Sequence, residues 1–504
     1  MDTISIAFPS VKINVKIDEI SFDSIEQMVF DIAQRIGRKA IEKALFDVDD
    51  ALRNNRPEGT LENAGKREKH FMTRMGDIRY ERTRYLDKST GKSRYLLEEK
   101  LGIAKNQRIS LMRSKMEMLI ATMTTYRATG EHAELLTGCK RSHESLRQSV
   151  IREAERIIAY QESSINRTRN LKDDTGPGVI NDVAYVESDS AFIRQQRKRT
   201  ARGRSQTLRR RKRKSIEVKL GIGYTDKVRR YERGRGKSLK LKDKFTYASV
   251  ESGSTFMEKL SLIAEKKLNL SMAKTIICGG DGGAYITAGI RDYFVNAIYI
   301  LCKFHLKRNI KRCLASWPKT QDKLNALLGK DKIDKALSLL RAISRRARDK
   351  RVRQSVDDLH TYIDHNRDGI NPLNRIKDKA LRDKVKGAGA MESNVDKFLA
   401  HRFKKRGMSW SITGALSLIK VKETIANGDW DSWWLEGRDE KIEINTEPLK
   451  QLTAKDFWKI EKNDLPLIEA DIPALQGPER NEPWAKVVRE IQNINYYKYA
   501  GFAG

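Results

Sequence analysis

The residues best suited to chemistry in this chain are a few carboxylates in unusual surroundings, with a Cys-x-x-His pair close to one of them. Asp281 stands inside Gly279-Gly280-Asp281-Gly282-Gly283, directly after the apolar run Thr275–Cys278. That pattern reads as a buried strand delivering one carboxylate into a turn, where glycines let backbone and a bulky polyanion come close. Asp-Gly is also the commonest hairpin-turn pair, so the stretch alone supports either reading. Cys302 and His305 follow a second apolar run, 297–301, where the next helix would begin. Upstream, Glu187 and Asp189 interrupt the otherwise apolar run 183–193. Acids there are costly unless they are paired or bind a metal. The two share one strand face, so only one of them needs to be central. Glu392 begins a predicted helix that continues with Lys397, His401, Arg402, Lys404, Lys405 and Arg406, setting a carboxylate beside phosphate-binding charge. A first-turn acid also complements a helix dipole without any further role.

The partner for such a site follows from charge. The chain has 504 residues and a formal net charge of +33, which repels itself unless a polyanion is bound, and nucleic acid fits best. No apolar run approaches the ~20 residues that span a bilayer, so no membrane is expected. The N-terminal residues lack a signal-peptide pattern, which predicts an intracellular protein. Four cysteines are too few and too irregular for a disulfide framework or zinc finger, and most are expected in the core.

The positioning elements read as follows. Val11–Ile17 alternates like a strand, and Ser24 can cap a helix running towards Leu52. Residues 77–97 predict a β-hairpin with its turn at 88–92, in which Arg79, Arg82 and Arg84 interleave with Tyr80 and Tyr85 as a ribbon for phosphates. Residues 128–158 predict a helix-turn-helix. Its turn contains Arg141, and its second helix, opening with Ser142, His143, Ser145 and Arg147, would enter the major groove. Asp173–Gly178 reads as a linker. The basic stretch 194–214, including Arg209, Arg210, Arg211 and Lys212, cannot form a core and predicts an arm that orders on a phosphate backbone.

Three successive strands (183–193, 216–224, 245–250), a helix, the strand before Asp281, a helix, the 297–301 strand and a final helix give the element order of an RNase H-like fold. In that fold, acids on the first and fourth strands meet at one end of the sheet. The expected organisation is multidomain α+β and α/β: a DNA-binding region over 1–172, the first part of the catalytic domain over 179–318, and an all-helical insertion over 319–388. The last catalytic helix follows over 389–428, and a Trp-containing docking tail over 429–504.

Four stretches carry a family resemblance: YVESD at 185–189, GGDGGAYI at 279–286, CKFH at 302–305, and MESN with HRFKKRGMSWSITGA at 391–415. With the hairpin, LGI at 101–103 and the helix-turn-helix, the chain resembles the ISLre-type insertion-sequence transposases, relatives of the mutator-type DDE enzymes, from about Ser24 to Lys420. Gly283 stands where alanine is expected and Tyr285 where tryptophan is. The resemblance implies that Asp189, Asp281 and Glu392 hold two Mg²⁺, with Mn²⁺ able to substitute, and that Cys302 and His305 shape the site. It also implies binding of double-stranded DNA at terminal inverted repeats and at the target, assembly as a homo-oligomer on that DNA, and a place in the cytoplasm of a prokaryote, at the nucleoid. Two other readings are an RNase H-like nuclease of the resolvase kind and a catalytically silent sequence-specific DNA-binding protein.

Overall fold

The computed structural model describes residues 21–56, 59–170, 181–196, 214–230, 239–376 and 378–436. They divide into two compact units, 21–117 with 127–142 and 118–126 with 143–436. The Val11–Ile17 strand, the 173–178 linker, most of the basic arm and the chain after 436 lie outside the described residues. No helix among the described residues is long and apolar enough to cross a membrane.

The first unit opens with α1 (Phe22–Asn54). Ser21, not Ser24, is its cap: each serine hydroxyl accepts the other's backbone N–H, at 3.2 and 3.1 Å. β1 (Leu61–Thr73) and β2 (Gly76–Asp87) then form a long antiparallel hairpin turning at residues 74 and 75. The expected turn at 88–92 only joins β2 to the two-residue β3 (Ser93–Arg94). The major partner strand, β1, was not predicted because it is nearly all polar between Leu61 and Phe71. α2 (Leu96–Lys100) adds Leu97 to a core with Phe71, Ile78 and Tyr80. Tyr80 and Tyr85 are therefore buried, and the expected face of alternating Tyr and Arg does not exist. α3 (Leu111–Ala121) and α4 (Tyr126–Thr137) follow. The second helix of the expected helix-turn-helix, α5 (His143–Arg169), is 27 residues long and lies in the other unit. Its buried side, with Val150, Ala154 and Ile157, joins that unit's core.

In the second unit the strands match the expected order closely. They are β4 (Val183–Arg194), β5 (Ser215–Tyr224), a small ribbon of β6 (Asp226–Arg229) and β7 (Leu239–Lys242), β8 (Phe245–Ser249), β9 (Thr275–Gly280) and β10 (Ile298–Leu301). The five-stranded sheet has the order β10-β9-β4-β5-β8. β4, β5 and β8 pair antiparallel, whereas β9 runs parallel to β4 and β10 parallel to β9. α6 (Gly253–Leu268) and α7 (Ala284–Tyr293) pack on one face with Val186, Phe245 and Phe256, while the helical residues 395–404 and 412–426 lie with Tyr185 and Val218 on the other and α5 packs against the 412–426 helix.

α8 (Lys303–Cys313) leads into α9 (Pro318–Gly329), α10 (Ile333–Arg346), α11 (Lys350–His365) and α12 (Lys379–Lys384). No strand occurs among the described residues of the expected helical insertion, and Leu324, Leu340, Val356 and Ile363 form its core. α13 (Met391–Asn394) widens at once into a π-helical stretch, Val395–Lys404. A break precedes α14 (Ile412–Ala426), so the single helix expected over 389–428 is two. The expected tail begins with α15 (Trp430–Glu436), whose Trp430 and Trp433 are buried, and Trp433 Nε1 donates to Glu153 at 2.7 Å.

A buried ion network holds the first unit together. Arg113 is fully buried and donates to Glu117 (2.8 Å), to Thr137 Oγ1 (2.9 Å) and to the carbonyls of Thr73 (3.3 Å) and Cys139 (2.6 Å). Arg141, also buried, donates to the other Glu117 oxygen at 2.6 Å. One guanidinium thus ties the β1 end to α3 and to the turn after α4, and Arg141 belongs to this network instead of facing DNA. Glu117→Ala leaves two buried cations without their counter-ion, a loss expected to cost about 3–5 kcal/mol. Urea unfolding should show that loss; a change below about 1 kcal/mol would mean the network does not hold the unit.

Candidate active site

Strand register brings the first two acids together. Ser188 on β4 pairs with Gly280 on β9, so Asp189 and Asp281 are the next positions on adjacent parallel strands. Gly282 then turns the chain at φ +87°, where an added Cβ would meet the Asn366 side chain at 2.7 Å. The helical insertion holds this turn in place. The Tyr362 hydroxyl on α11 donates to the Asp281 carbonyl at 2.7 Å, and Tyr299 donates to Asn366 Oδ1 at 3.1 Å. Each acid commits one oxygen locally, Asp189 Oδ1 to the Ser190 N–H (2.7 Å) and Asp281 Oδ1 to the Gly283 N–H (2.8 Å).

The third acid and the Cys-x-x-His pair reach the same cleft. Cys302 is the N-cap of α8, and its backbone N–H donates to the Gly280 carbonyl at 2.7 Å, fixing the helix start beside Asp281. Ligand atoms of Asp189, Asp281 and His305 lie within 4.8 Å of one another, as do those of Cys302, His305 and Glu392. The cleft is lined by these residues with Glu187, Gly279, Gly389 and Met391. Three acids separated widely in sequence therefore surround one small space.

The electrostatics are those of desolvated charge. Burial pushes the Asp189 carboxyl up to about 6; the Asp281 charge adds to the rise, while the Ser190 N–H, Arg308 and Lys404 oppose it. Burial also raises Glu392 and lowers His305, favouring the neutral form of each. His305 Nδ1 lies 3.1 Å from Glu392 Oε1, yet the contact lacks hydrogen-bond geometry and both buried atoms lack a hydrogen-bond partner. We read it as an unsatisfied contact and not as a salt bridge. A carboxylate-dominated set with an orphaned acid oxygen suits a hard cation such as Mg²⁺ or Mn²⁺. The Cys302 thiol, held above its ordinary range by burial, is poorly suited to ligate as a thiolate.

Glu187, the other acid of the strand, is only 2% exposed and both its oxygens are engaged. Tyr224 Oη donates to Oε1 at 2.5 Å. The backbone N–H groups of Gly389 (2.9 Å), Ala390 (3.0 Å) and Met391 (3.1 Å) donate to Oε2. Arg308 was missed in the sequence although it follows His305 by one helical turn, where its charge acts on Asp189, His305 and Glu392.

The residues expected to touch DNA are scattered. Arg79 is exposed on β2. Arg82 pairs with Glu98 and lies over the Tyr95 ring at 3.9 Å, and Arg84 Nε donates to Ser93 at 3.1 Å. Ser142, His143 and Ser145 are exposed at the start of α5, while Arg147 donates to Glu144 at 2.9 and 2.7 Å. Arg402 is buried, donating to the Ala121 carbonyl at 3.0 Å and stacking on Trp410 at 4.9 Å, so it is structural. Lys404 is exposed near the cleft and Lys405 pairs with Asp396 at 3.3 Å. Arg209, Arg210, Arg211, Lys212 and the Arg406 side chain lie outside the described residues.

Because native Asp189 holds its proton more tightly than the unfolded chain does, ionising it costs stability. With divalent metal chelated, the Asp189 contribution to stability should fall as pH rises from about 4 to about 6 and stay lower above. Asp189→Asn removes that penalty and should be about 1–3 kcal/mol more stable than wild type at about pH 7.5. The gain should vanish below about pH 4. Urea unfolding in EDTA checks this; a mutant less stable at neutral pH would contradict it.

The profile of the Uncharacterised protein family (UPF0236) matches residues 16–437. A UPF0236 protein of Caldanaerobacter subterraneus subsp. tengcongensis is 22% identical over 401 residues, covering 79% of this chain and 76% of its own. Another from that organism, whose name joins eleven gene designations, has the same identity and coverage. The UPF0236 protein in the vanSb 3' region of Streptococcus gallolyticus is 24% identical over 403 residues, covering 78% of this chain and 81% of its own. With most of its length matched, the chain belongs to the UPF0236 family.

Proposed function

We propose that this chain is a DDE-type transposase that binds the terminal inverted repeats of its own insertion sequence and carries out metal-dependent strand cleavage and strand transfer. The observation that carries the reading is the convergence of Asp189, Asp281 and Glu392, with His305, on one cleft. The strand order β10-β9-β4-β5-β8, with β4, β5 and β8 antiparallel in succession and β9 and β10 added parallel to β4, supports an RNase H-like catalytic domain.

Mg²⁺ or Mn²⁺ held by the three acids would supply the Lewis-acid charge for activating water or a 3′-hydroxyl and for stabilising the leaving oxygen. The protein's own contribution is positional. Asp189 and Asp281 are fixed by register, and His305, kept neutral by burial, can accept or donate at Nδ1 beside Glu392. Arg308 and Lys404 set positive charge at the cleft, where a phosphodiester would lie. No covalent protein nucleophile is needed.

A resolvase-like nuclease or a silent DNA-binding protein would use the same charge and fold. The eleven gene designations joined in one relative's name favour an element that multiplies within a genome. The active form is expected to be a homo-oligomer on DNA in a prokaryotic cytoplasm.

The test is cleavage and joining of labelled DNA carrying the sequence ends that flank the gene. Wild type should act only with Mg²⁺ or Mn²⁺. Asp189→Asn, Asp281→Asn and Glu392→Gln should each fold, bind the ends and lose at least about 10²–10³-fold in rate. His305→Ala should also be strongly slowed and Cys302→Ser only mildly. Unchanged cleavage by Asp281→Asn would overturn the reading, and an enzyme that cuts branched DNA without joining ends would favour the nuclease.

A further inference from the structure

We infer that Glu187 is a positioning residue whose buried carboxylate, by holding the backbone N–H groups that precede Glu392, sets where the third acid of the site points. This rests on the reading of the cleft as a phosphoryl-transfer site. Two of its acids need no such device, because Asp189 and Asp281 leave neighbouring parallel strands at the same level. Glu392 has no such register. It arrives on residues 385–390, which form no helix or strand and include Gly389 at φ +125°.

That segment is tied to the sheet through Tyr185 and Glu187 and to the β6–β7 ribbon through Lys227, with Lys386 Nζ also donating to Asp226 at 2.6 Å and to the Lys227 carbonyl at 2.7 Å. The Lys386 N–H donates to Tyr185 Oη at 2.7 Å, Lys227 Nζ donates to the Gly387 carbonyl at 2.5 Å, and Glu187 receives Gly389, Ala390 and Met391. The Glu187 tie ends one residue before Glu392 and engages three consecutive amides, so it governs the direction in which the helix starts. Its own position is fixed in turn. Tyr224, which donates to it at 2.5 Å, stacks on Tyr185 with ring centroids 4.8 Å apart. On β9, Gly279 leaves the space it needs, since an added Cβ there would stand 3.0 Å from Glu187 Cγ and 2.9 Å from Ala388 Cβ. With both oxygens committed to N–H and O–H donors, Glu187 is not available as a fourth metal ligand. It acts through Glu392.

Glu187→Gln keeps the shape but replaces one of the two acceptor oxygens with an NH₂ donor, so the backbone N–H groups and Tyr224 no longer share two acceptors. Three experiments are needed: hydrogen exchange at residues 389–391, steady-state kcat and KM for cleavage of end DNA, and a titration giving the Mn²⁺ concentration at half-maximal rate. The variant should exchange those amides at least about tenfold faster. Its kcat should fall and its metal requirement rise by about 10–100-fold, the scale of second-layer effects at metal sites, while KM for DNA stays at the wild-type value. Tyr224→Phe, which removes one bond and leaves the carboxylate, should move all three readouts the same way by a smaller factor, and it serves if Glu187→Gln does not fold. A purely structural role would lower stability without moving the metal requirement. Wild-type kcat and metal requirement in either folded variant, beside an inactive Asp281→Asn, would overturn the inference. If Asp281→Asn cleaves like wild type, the reading of the site fails instead, and the exchange rates still report whether Glu187 holds the segment.

Discussion

Three carboxylates that repel one another when ionised must be held around one small cleft in which Asp189 is buried and Asp281 and Glu392 are half-buried. Coulomb energy between like charges grows as surroundings become less polar, and each buried acid resists ionisation. The raised Asp189 and Glu392 carboxyls are the visible consequence. Such a cluster persists only where stronger structure on every side fixes it, and the second unit supplies this. The β4–β9 register holds two acids, the α8 start is bonded to Gly280, and Tyr362 of the helical insertion holds the Asp281 turn. Glu187 anchors the segment that brings the third acid. Arg308 and Lys404 offset part of the cost of bringing the acids together.

The same logic gives charged groups two different fates in this chain. In the first unit, Arg113, Glu117 and Arg141 are buried but fully matched by donors and acceptors, so they tie elements together. In the cleft, Glu392 Oε1 and His305 Nδ1 are buried and unmatched. Matched buried charge is architecture; buried polar atoms left unmatched beside other acids make the cleft a candidate functional site. The same distinction removes Arg141 and Arg402 from any DNA-facing surface, whereas Arg79, Ser142, His143, Ser145, Lys404 and Lys405 are exposed.

What the sequence made legible follows from locality. The sheet strands could be read because apolar runs bounded by Gly and Asp carry their own signal, and Asp189, Asp281, Glu392, Cys302 and His305 stood out by their surroundings. β1 could not be read, because its long polar stretch pairs through backbone and buries few side chains. The helix-turn-helix expectation treated residues 142–158 as a short reading helix, whereas α5 is built into the second unit's core through Val150, Ala154 and Ile157. Glu187 was seen as an acid on the right face, but its role depends on amides about two hundred positions away, which no local pattern encodes. Arg113 and Glu117, four apart on one helix, offered a signal that went unused.

Asp189, Asp281 and Glu392 are proposed to border one metal site. Replacing Mg²⁺ by Fe²⁺ and adding peroxide and ascorbate generates hydroxyl radicals at the bound ion, which cut the backbone within a few ångströms. Cuts should cluster near residues 189, 281 and 392, all suppressed together by excess Mg²⁺ and all lost in Asp281→Asn. Cuts at other positions, or cuts near the three acids that Mg²⁺ does not suppress in concert, would contradict it.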